Sequence, residues 1–281
     1  MPKTPSIEEM LKAGVHFGHQ SAKWHPKMRP FIFGIRQGVH VIDVEKTQAQ
    51  LEKAMSFVTD VVAKGGSILL VGTKSQAQDI IAKYGKECGM PYVNVRWLGG
   101  TLTNFPQIQR LIRHYLDLKD KREKGELRKY TKLEQLQFDR EIAELDEKIG
   151  GISTMTRLPE AVFILDARTE KTVVREATTV KVPLVALVDS NVNSTGIQYV
   201  IPGNDDASAS IDLITKMISE AVKEGKVKNA TLRAAAAAPI KKLDAESDDV
   251  KVSAKSHDAV QDIDEKVKEE LAAKKEAEVK K

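Results

Sequence analysis

A-V-F-I-L-D-A-R-T-E-K-T-V-V-R-E-A-T-T-V-K-V-P-L-V-A-L-V-D (Ala161–Asp189) contains two short runs, Ala161–Asp166 and Leu184–Asp189, that are apolar until a closing aspartate. Between them, Thr172–Val180 has helical spacing. A run apolar on both faces belongs in a sheet covered on both sides, and a helix joining two such strands makes them parallel. The same rhythm extends outward to Ile68–Gly72, Tyr92–Val95 and Tyr199–Ile201, with helical patterns at Gln76–Gly85 and Ala207–Val222. The expected architecture is an open, doubly wound α/β domain of about five parallel strands.

Upstream, Ser6 and Glu9 form an S-x-x-E capping box before Met10 and Leu11, and Gly14 ends that short helix. I-D-V-E-K (Ile42–Lys46) opens a longer helix. Leu51, Ala54, Met55, Val58 and Val62 recur on one face of it, and Gly65-Gly66 stops it. The α/β rhythm breaks once, between Pro106 and Gly151. Ile108, Leu111, Ile112, Tyr115 and Leu118 make one apolar stripe. After Gly125 and a second capping box, Thr131 with Glu134, a further stripe runs through Leu133, Leu136, Phe138, Ile142, Leu145 and Ile149. Two charged helices joined by a short turn bury their stripes against each other, so the insertion is expected to be an antiparallel coiled-coil hairpin. The chain thus divides into a basic segment with the first part of the α/β domain (1–105), the hairpin (106–151), the second part of the domain (152–227), and a charged tail (228–281) expected to be disordered in part, with transient helix near Val260–Lys281.

The 281 residues carry 44 basic and 40 acidic side chains, a net charge of +4, so any affinity for polyanions must come from where the charge sits. It sits between Lys12 and Arg36. That stretch has five Lys or Arg and three His but no Asp or Glu, together with Phe17, Trp24, Phe31 and Phe33. Cations for phosphates and aromatic rings for bases are what RNA binding requires. Lys12, His16, Lys23, Trp24, His25, Lys27, Arg29 and Arg36 are the candidate contacts there. The two prolines of W-H-P-K-M-R-P (Trp24–Pro30) predict an extended, stiff loop. R-W-L-G-G-T-L-T-N (Arg96–Asn104) follows a strand and adds Arg96 and Thr101 as surface contacts. Trp97 and Leu98 are expected to pack inside, with Asn104 capping the next helix.

Ligands of open α/β sheets collect beyond the carboxyl ends of the strands. Those ends deliver Lys74, Asp166, Arg168, Asp189, Asp205 and Asp206, which leaves an enzyme or nucleotide-binding reading open. Against it, V-G-T-K-S lacks the spacing of a phosphate-wrapping loop, no G-x-G-x-x-G follows a strand, and no nucleophile elbow occurs. A protein-interaction module working through the hairpin is a third reading. His19 is expected to meet Asp189, Asp205 and Asp206 if the N-terminal segment folds over the strand ends. Imidazole with carboxylates suits a divalent ion such as Zn²⁺ or Mg²⁺. The single cysteine, Cys88, excludes an internal disulfide and reads as a small core residue. With no apolar leader and no run near the length of a membrane span, the expected compartment is the cytoplasm.

M-L-K-A-G-V-H-F-G-H-Q, W-H-P-K-M-R-P-F-I-F-G, V-G-T-K, R-W-L-G-G-T-L-T-N, L-P-E-A-V-F-I-L-D and I-P-G-N-D-D-A occur in an order that resembles the bacterial small-subunit ribosomal protein two family, over roughly Ser6 to Gly225. The resemblance implies a flavodoxin-like domain carrying a coiled-coil hairpin. It also implies a place on the solvent side of the small subunit, between head and body, bound to ribosomal RNA. Partners would be neighbouring ribosomal proteins, among them the large messenger-capturing protein one, with no enzymatic activity, no required cofactor, no membrane and no small-molecule substrate. The lysine-rich tail after Lys228 departs from the compact bacterial pattern.

Overall fold

The computed structural model describes the backbone of residues 4–245 and the side chains of residues 4–233. Helix α1 (Ile7–Lys12) opens on the expected capping box, with Ser6 Oγ accepting from Glu9 N and Glu9 accepting from Ser6 N. The basic stretch that follows supplies two strands of a small sheet, which its composition did not reveal. Strands β1 (Phe17–Gln20), β2 (Ile32–Arg36) and β3 (Val39–Ile42) pair antiparallel in the order β1-β3-β2. Gln37 and Gly38, both at positive φ, make the turn between the second and third. The segment expected as an extended loop is instead a 3₁₀ helix, Pro26–Phe31. Pro26 presets its first dihedral, His25 Nδ1 accepts from Lys27 N at 3.3 Å, and fully buried Met28 pins the turn to the domain.

Helix α2 (Val44–Ala63), capped by Asp43, leads into the main sheet. Its strands are β4 (Ile68–Val71), β5 (Tyr92–Val93), β6 (Ala161–Leu165), β7 (Leu184–Val188) and β8 (Tyr199–Pro202), all parallel. Their order is β5-β4-β6-β7-β8. Counted within the sheet this is 2-1-3-4-5, the order of flavodoxin-like folds. The helices are α3 (Ser75–Cys88), α4 (Phe105–Glu123), α5 (Lys132–Ile149), α6 (Lys171–Val180) and α7 (Ser208–Ala245).

Alternation along the strands builds two cores. Ile68, Leu70, Phe163, Leu165, Val185 and Leu187 pack with Leu51 and Val58 of α2, Ile81 of α3 and Ile211 of α7. Leu69, Val71, Val162, Ile164, Ala186 and Val188 pack on the other side with Val173 and Ala177 of α6 and with Phe105, Ile108 and Ile149. Every residue of β4, β6 and β7 is buried, which is why those runs contain no polar position. Cys88 is buried at the end of α3, as expected.

Between β5 and β6, α4 and α5 meet through His114–Glu141 at 3.0 Å, Arg122–Asp139 at 3.0 Å and a Tyr115–Asp146 hydrogen bond. The Thr131–Glu134 box caps α5 as expected. Only part of its stripe is covered: Ile142 and Ile149 are buried, whereas Leu133 and Leu136 are exposed. Asn104 occupies the cap position of α4 but its side chain accepts no capping hydrogen bond. The last helix, expected to stop at Val222, runs to Ala245, in keeping with the helix propensity of its alanine run. The described residues up to Leu232 form one compact unit. Most of the tail expected to be disordered in part, 246–281, lies with its transient helix outside the described residues.

Candidate nucleic-acid interface

The N-terminal motif G-V-H-F-G-H-Q is docked on the carboxyl ends of β7 and β8. Asn204 N donates to Val15 O at 3.1 Å and Asn204 Nδ2 to Gly14 O at 3.2 Å. His19 N donates to Ser190 Oγ at 2.9 Å, and His25 N to Ser190 O at 2.8 Å. Gly18 is required by this close approach. A Cβ there would lie 2.8 Å from Ser190 Oγ and 3.0 Å from the His40 carbonyl.

Docking delivers His19 to the acids. Its Nδ1 lies 2.9 Å from Asp189 Oδ2 and its Nε2 3.4 Å from Asp206 Oδ2. One ligand atom each from His19, Asp189, Asp205 and Asp206 falls within 4.8 Å of the others, so the four residues named from the sequence do converge. Lys74 enters from the start of α3, with Nζ 3.0 Å from Asp205, 2.5 Å from Asp206 and 4.0 Å from Asp166. The lysine that an enzyme reading would aim at a substrate phosphate is thus held by three carboxylates. Burial, and then the like charges of Asp166 and Asp189, push the Asp205 carboxyl up to about 7 despite Lys74. The hydrogen bond to Asp189 raises the His19 imidazole above its ordinary value against the opposing effect of burial. Four carboxylates, Asp166, Asp189, Asp205 and Asp206, thus surround one lysine and one imidazole, and a donor set of this kind suits a cation.

Beside this cluster lies a cavity of about 470 Å³ with opposite character. Lys23 and His25 from the basic stretch line one part of it, and Arg168, Lys171, Asn191 and Asn193 another, with no carboxylate in the lining. Asp166 sits at φ +62°, a strained position for a non-glycine residue. It is held there by accepting from Arg168 N at 2.8 Å and Thr169 Oγ1 at 2.6 Å, and so fixes where the Arg168 chain begins. Lys27 Nζ bonds the Thr195 hydroxyl at the rim. Among the described residues, Lys12, Lys23, Arg29, Arg36, Arg96, Arg168 and Lys171 are exposed with no acidic partner. By contrast Lys121, Lys124 and Lys148 on the inserted helices each pair with an acid four residues away.

The predicted contacts do not all stand on this face. Lys12, Lys23, Trp24, Lys27, Arg29, Arg36 and Arg96 are exposed, and His16 and His25 half-buried. The His16 ring lies 4.0 Å from that of Phe17, and burial lowers its pKa. Thr101, expected at the surface, is only 1 % exposed and donates its hydroxyl to Leu98 O at 2.6 Å. The reason is Glu176 of α6, which the sequence reading missed. Its carboxylate accepts from Trp97 Nε1 at 3.1 Å, from Gly100, Leu102 and Thr103 N at 2.8, 3.0 and 3.2 Å, and from Thr103 Oγ1 at 3.2 Å. The Gly-Gly loop wraps that anion and turns Thr101 inward. Of the rings, Phe31 packs on the core whereas Phe33 is 81 % exposed. Arg168 and Lys171 had a weaker signal: cations just past a strand end, which only the docked N-terminal segment assembles into a surface.

The structure is thus a flavodoxin-like sheet with a cationic segment laid across its strand ends. The family model described as ribosomal protein S2 matches residues 10–225. The chain is 46% identical over 224 residues to the small ribosomal subunit protein uS2 of Dehalococcoides mccartyi, covering 80% of this chain and 91% of that protein. Against the protein of the same name from Roseiflexus sp. (strain RS-1) it is 47% identical over 229 residues, covering 82% and 87%. The chain belongs to the ribosomal protein S2 family.

Proposed function

We propose that this chain is a structural constituent of the small ribosomal subunit. It binds ribosomal RNA and neighbouring ribosomal proteins in support of translation, and has no catalytic role. The observation that carries the reading is the carboxylate-free cavity where Lys23 and His25 meet Arg168 and Lys171, with Arg29, Arg36 and Arg96 exposed elsewhere and without an acidic partner among the described residues. Such cations contact phosphates and fix position by RNA shape. Thr101, being buried, drops out of the contact set. The working compartment is the cytoplasm, on the ribosome. No helix among the described residues is long and apolar enough to cross a membrane.

The inserted helices act as an antiparallel coiled-coil hairpin presented to protein neighbours. Support comes from the pairings His114–Glu141 and Arg122–Asp139, which run in opposite directions along the two helices. Protein one is among the partners, and exposed Leu133 and Leu136 offer apolar contact. His19, Asp189, Asp205 and Asp206 hold a divalent ion, Zn²⁺ fitting the imidazole better than Mg²⁺. When bound, it ties β1 to the strand ends by neutralising the acids. Metal analysis of the purified chain is expected to return about one divalent ion per chain, lost in His19→Ala. A wild-type chain free of stoichiometric metal overturns the ion.

The test of the function is sedimentation of a cell lysate through sucrose with and without RNase. Co-migration with the small subunit, lost on RNase treatment, is expected. A chain found only at the top of the gradient overturns the reading and returns the strand-end carboxylates to consideration as an enzyme site.

A further inference from the structure

His40 of β3 is 5 % exposed, and neither ring nitrogen has a hydrogen-bond partner. A neutral imidazole carries one N–H donor and one acceptor, and buried groups of this kind are nearly always paired. The residue also lines a second open cavity, of about 680 Å³. Trp24 faces it with its ring centroid 5.6 Å from that of His40, and Arg29, Ile32, Ile35 and Ser21 complete the wall. Among the described residues Arg29 has no acidic partner.

We propose that this cavity receives one unpaired nucleotide of RNA, with the base stacked on Trp24, its edge hydrogen-bonded to His40 and its phosphate against Arg29. The inference rests on the RNA-binding reading above and sharpens it from duplex shape to a splayed-out base. Three features favour a nucleotide over a protein segment. A flat aromatic wall, an orphaned donor–acceptor ring and a free guanidinium match a base face, a base edge and a phosphate. No carboxylate lines the cavity to welcome a basic peptide. The cavity also adjoins the acid-free stretch that supplies the other phosphate contacts. Both His40 nitrogens are buried, so entry requires the half-exposed Trp24 ring that packs on His40 to swing outward with the stacked base and open a path to the imidazole.

The full chain is titrated with single-stranded RNA octamers and with a blunt RNA duplex of the same length, reading affinity by filter binding. Trp24→Ala and His40→Phe are each expected to weaken single-strand binding about tenfold and to leave duplex binding unchanged. His40→Phe should also raise the melting temperature, because it removes the orphaned nitrogens and keeps a ring. A purely structural His40 gives no such split. If Trp24→Ala fails to fold by circular dichroism, His40→Phe decides alone. Wild-type single-strand affinity in His40→Phe, with affinity lost in Lys27→Glu/Arg29→Glu, overturns the nucleotide pocket and leaves the RNA surface standing. Wild-type chain that binds neither RNA overturns both. Release by Trp24→Ala of a protein partner that withstands RNase and high salt makes the occupant a protein and overturns the proposal.

Discussion

Replacing Lys27 and Arg29 together by glutamate is expected to abolish incorporation of this chain into small subunits while leaving its cooperative melting intact. The two side chains are exposed and flank Met28, whose burial anchors the 3₁₀ turn, so the backbone survives the change. They serve different cavities. Lys27 bonds Thr195 at the rim of the Lys23–Arg168 cavity, and Arg29 lines the Trp24–His40 cavity. Reversal removes two phosphate contacts and plants two repulsive charges in a stretch that otherwise has none. Affinity for small-subunit RNA should fall by at least about a hundredfold near physiological salt, and the dependence of log affinity on log salt should become shallower by about 2. Binding titrations at several salt concentrations measure both. Normal assembly of the double mutant, or an unchanged salt slope, removes this face from the RNA interface.

Glu176→Ala is expected to be the most destabilising single change in the site region. One carboxylate, 7 % exposed, answers three backbone N–H groups, an indole N–H and a hydroxyl of the Arg96–Asn104 loop. Truncation leaves those donors facing a void. The cost should be about 3–5 kcal/mol, from one charged-acceptor network and its orphaned donors. In a domain of this size that lowers the melting temperature by roughly 10 °C. The pH dependence has a definite sign. Burial alone would raise the Glu176 pKa, but the backbone N–H of Gly100, the Trp97 indole and the other donors outweigh it and hold the group below its ordinary 4.5. Its contribution is therefore complete above the unfolded value and fades as pH falls through the lower folded one. The gap in melting temperature between wild type and Glu176→Gln should narrow on acidification below about pH 4.5 and stay constant above it. A gap that widens instead means the carboxylate is destabilised by its burial, and the loop is held by something else.

Much of the molecule was written locally. The Ser6–Glu9 and Thr131–Glu134 boxes, the helix over Leu51–Val62 and the fully apolar runs of β4, β6 and β7 each follow from residues a few positions apart, and all recur in the structure. The acids and His19 were legible too, because strand ends in a parallel sheet share one edge and the glycines of G-V-H-F-G-H-Q allow close docking there. What failed was burial of a polar group through a distant partner. Thr101 looks like a surface hydroxyl until Glu176, 75 positions on and on another helix, wraps the loop inward. Leu133 and Leu136 look like core until the opposing helix leaves them uncovered.

By itself, then, the sequence determined the elements, the parallel sense of the main sheet and the concentration of free cations in one segment, because hydrophobic period, capping and charge act over a turn or a strand. Tertiary structure alone decided the 2-1-3-4-5 strand order, the β1-β3-β2 sheet that the basic stretch forms with β3, the joining of Lys23 to Lys171, and the unpaired burial of His40. Each of these depends on which side chain from a remote segment arrives within hydrogen-bond or van der Waals reach, and local periodicity carries no information about that.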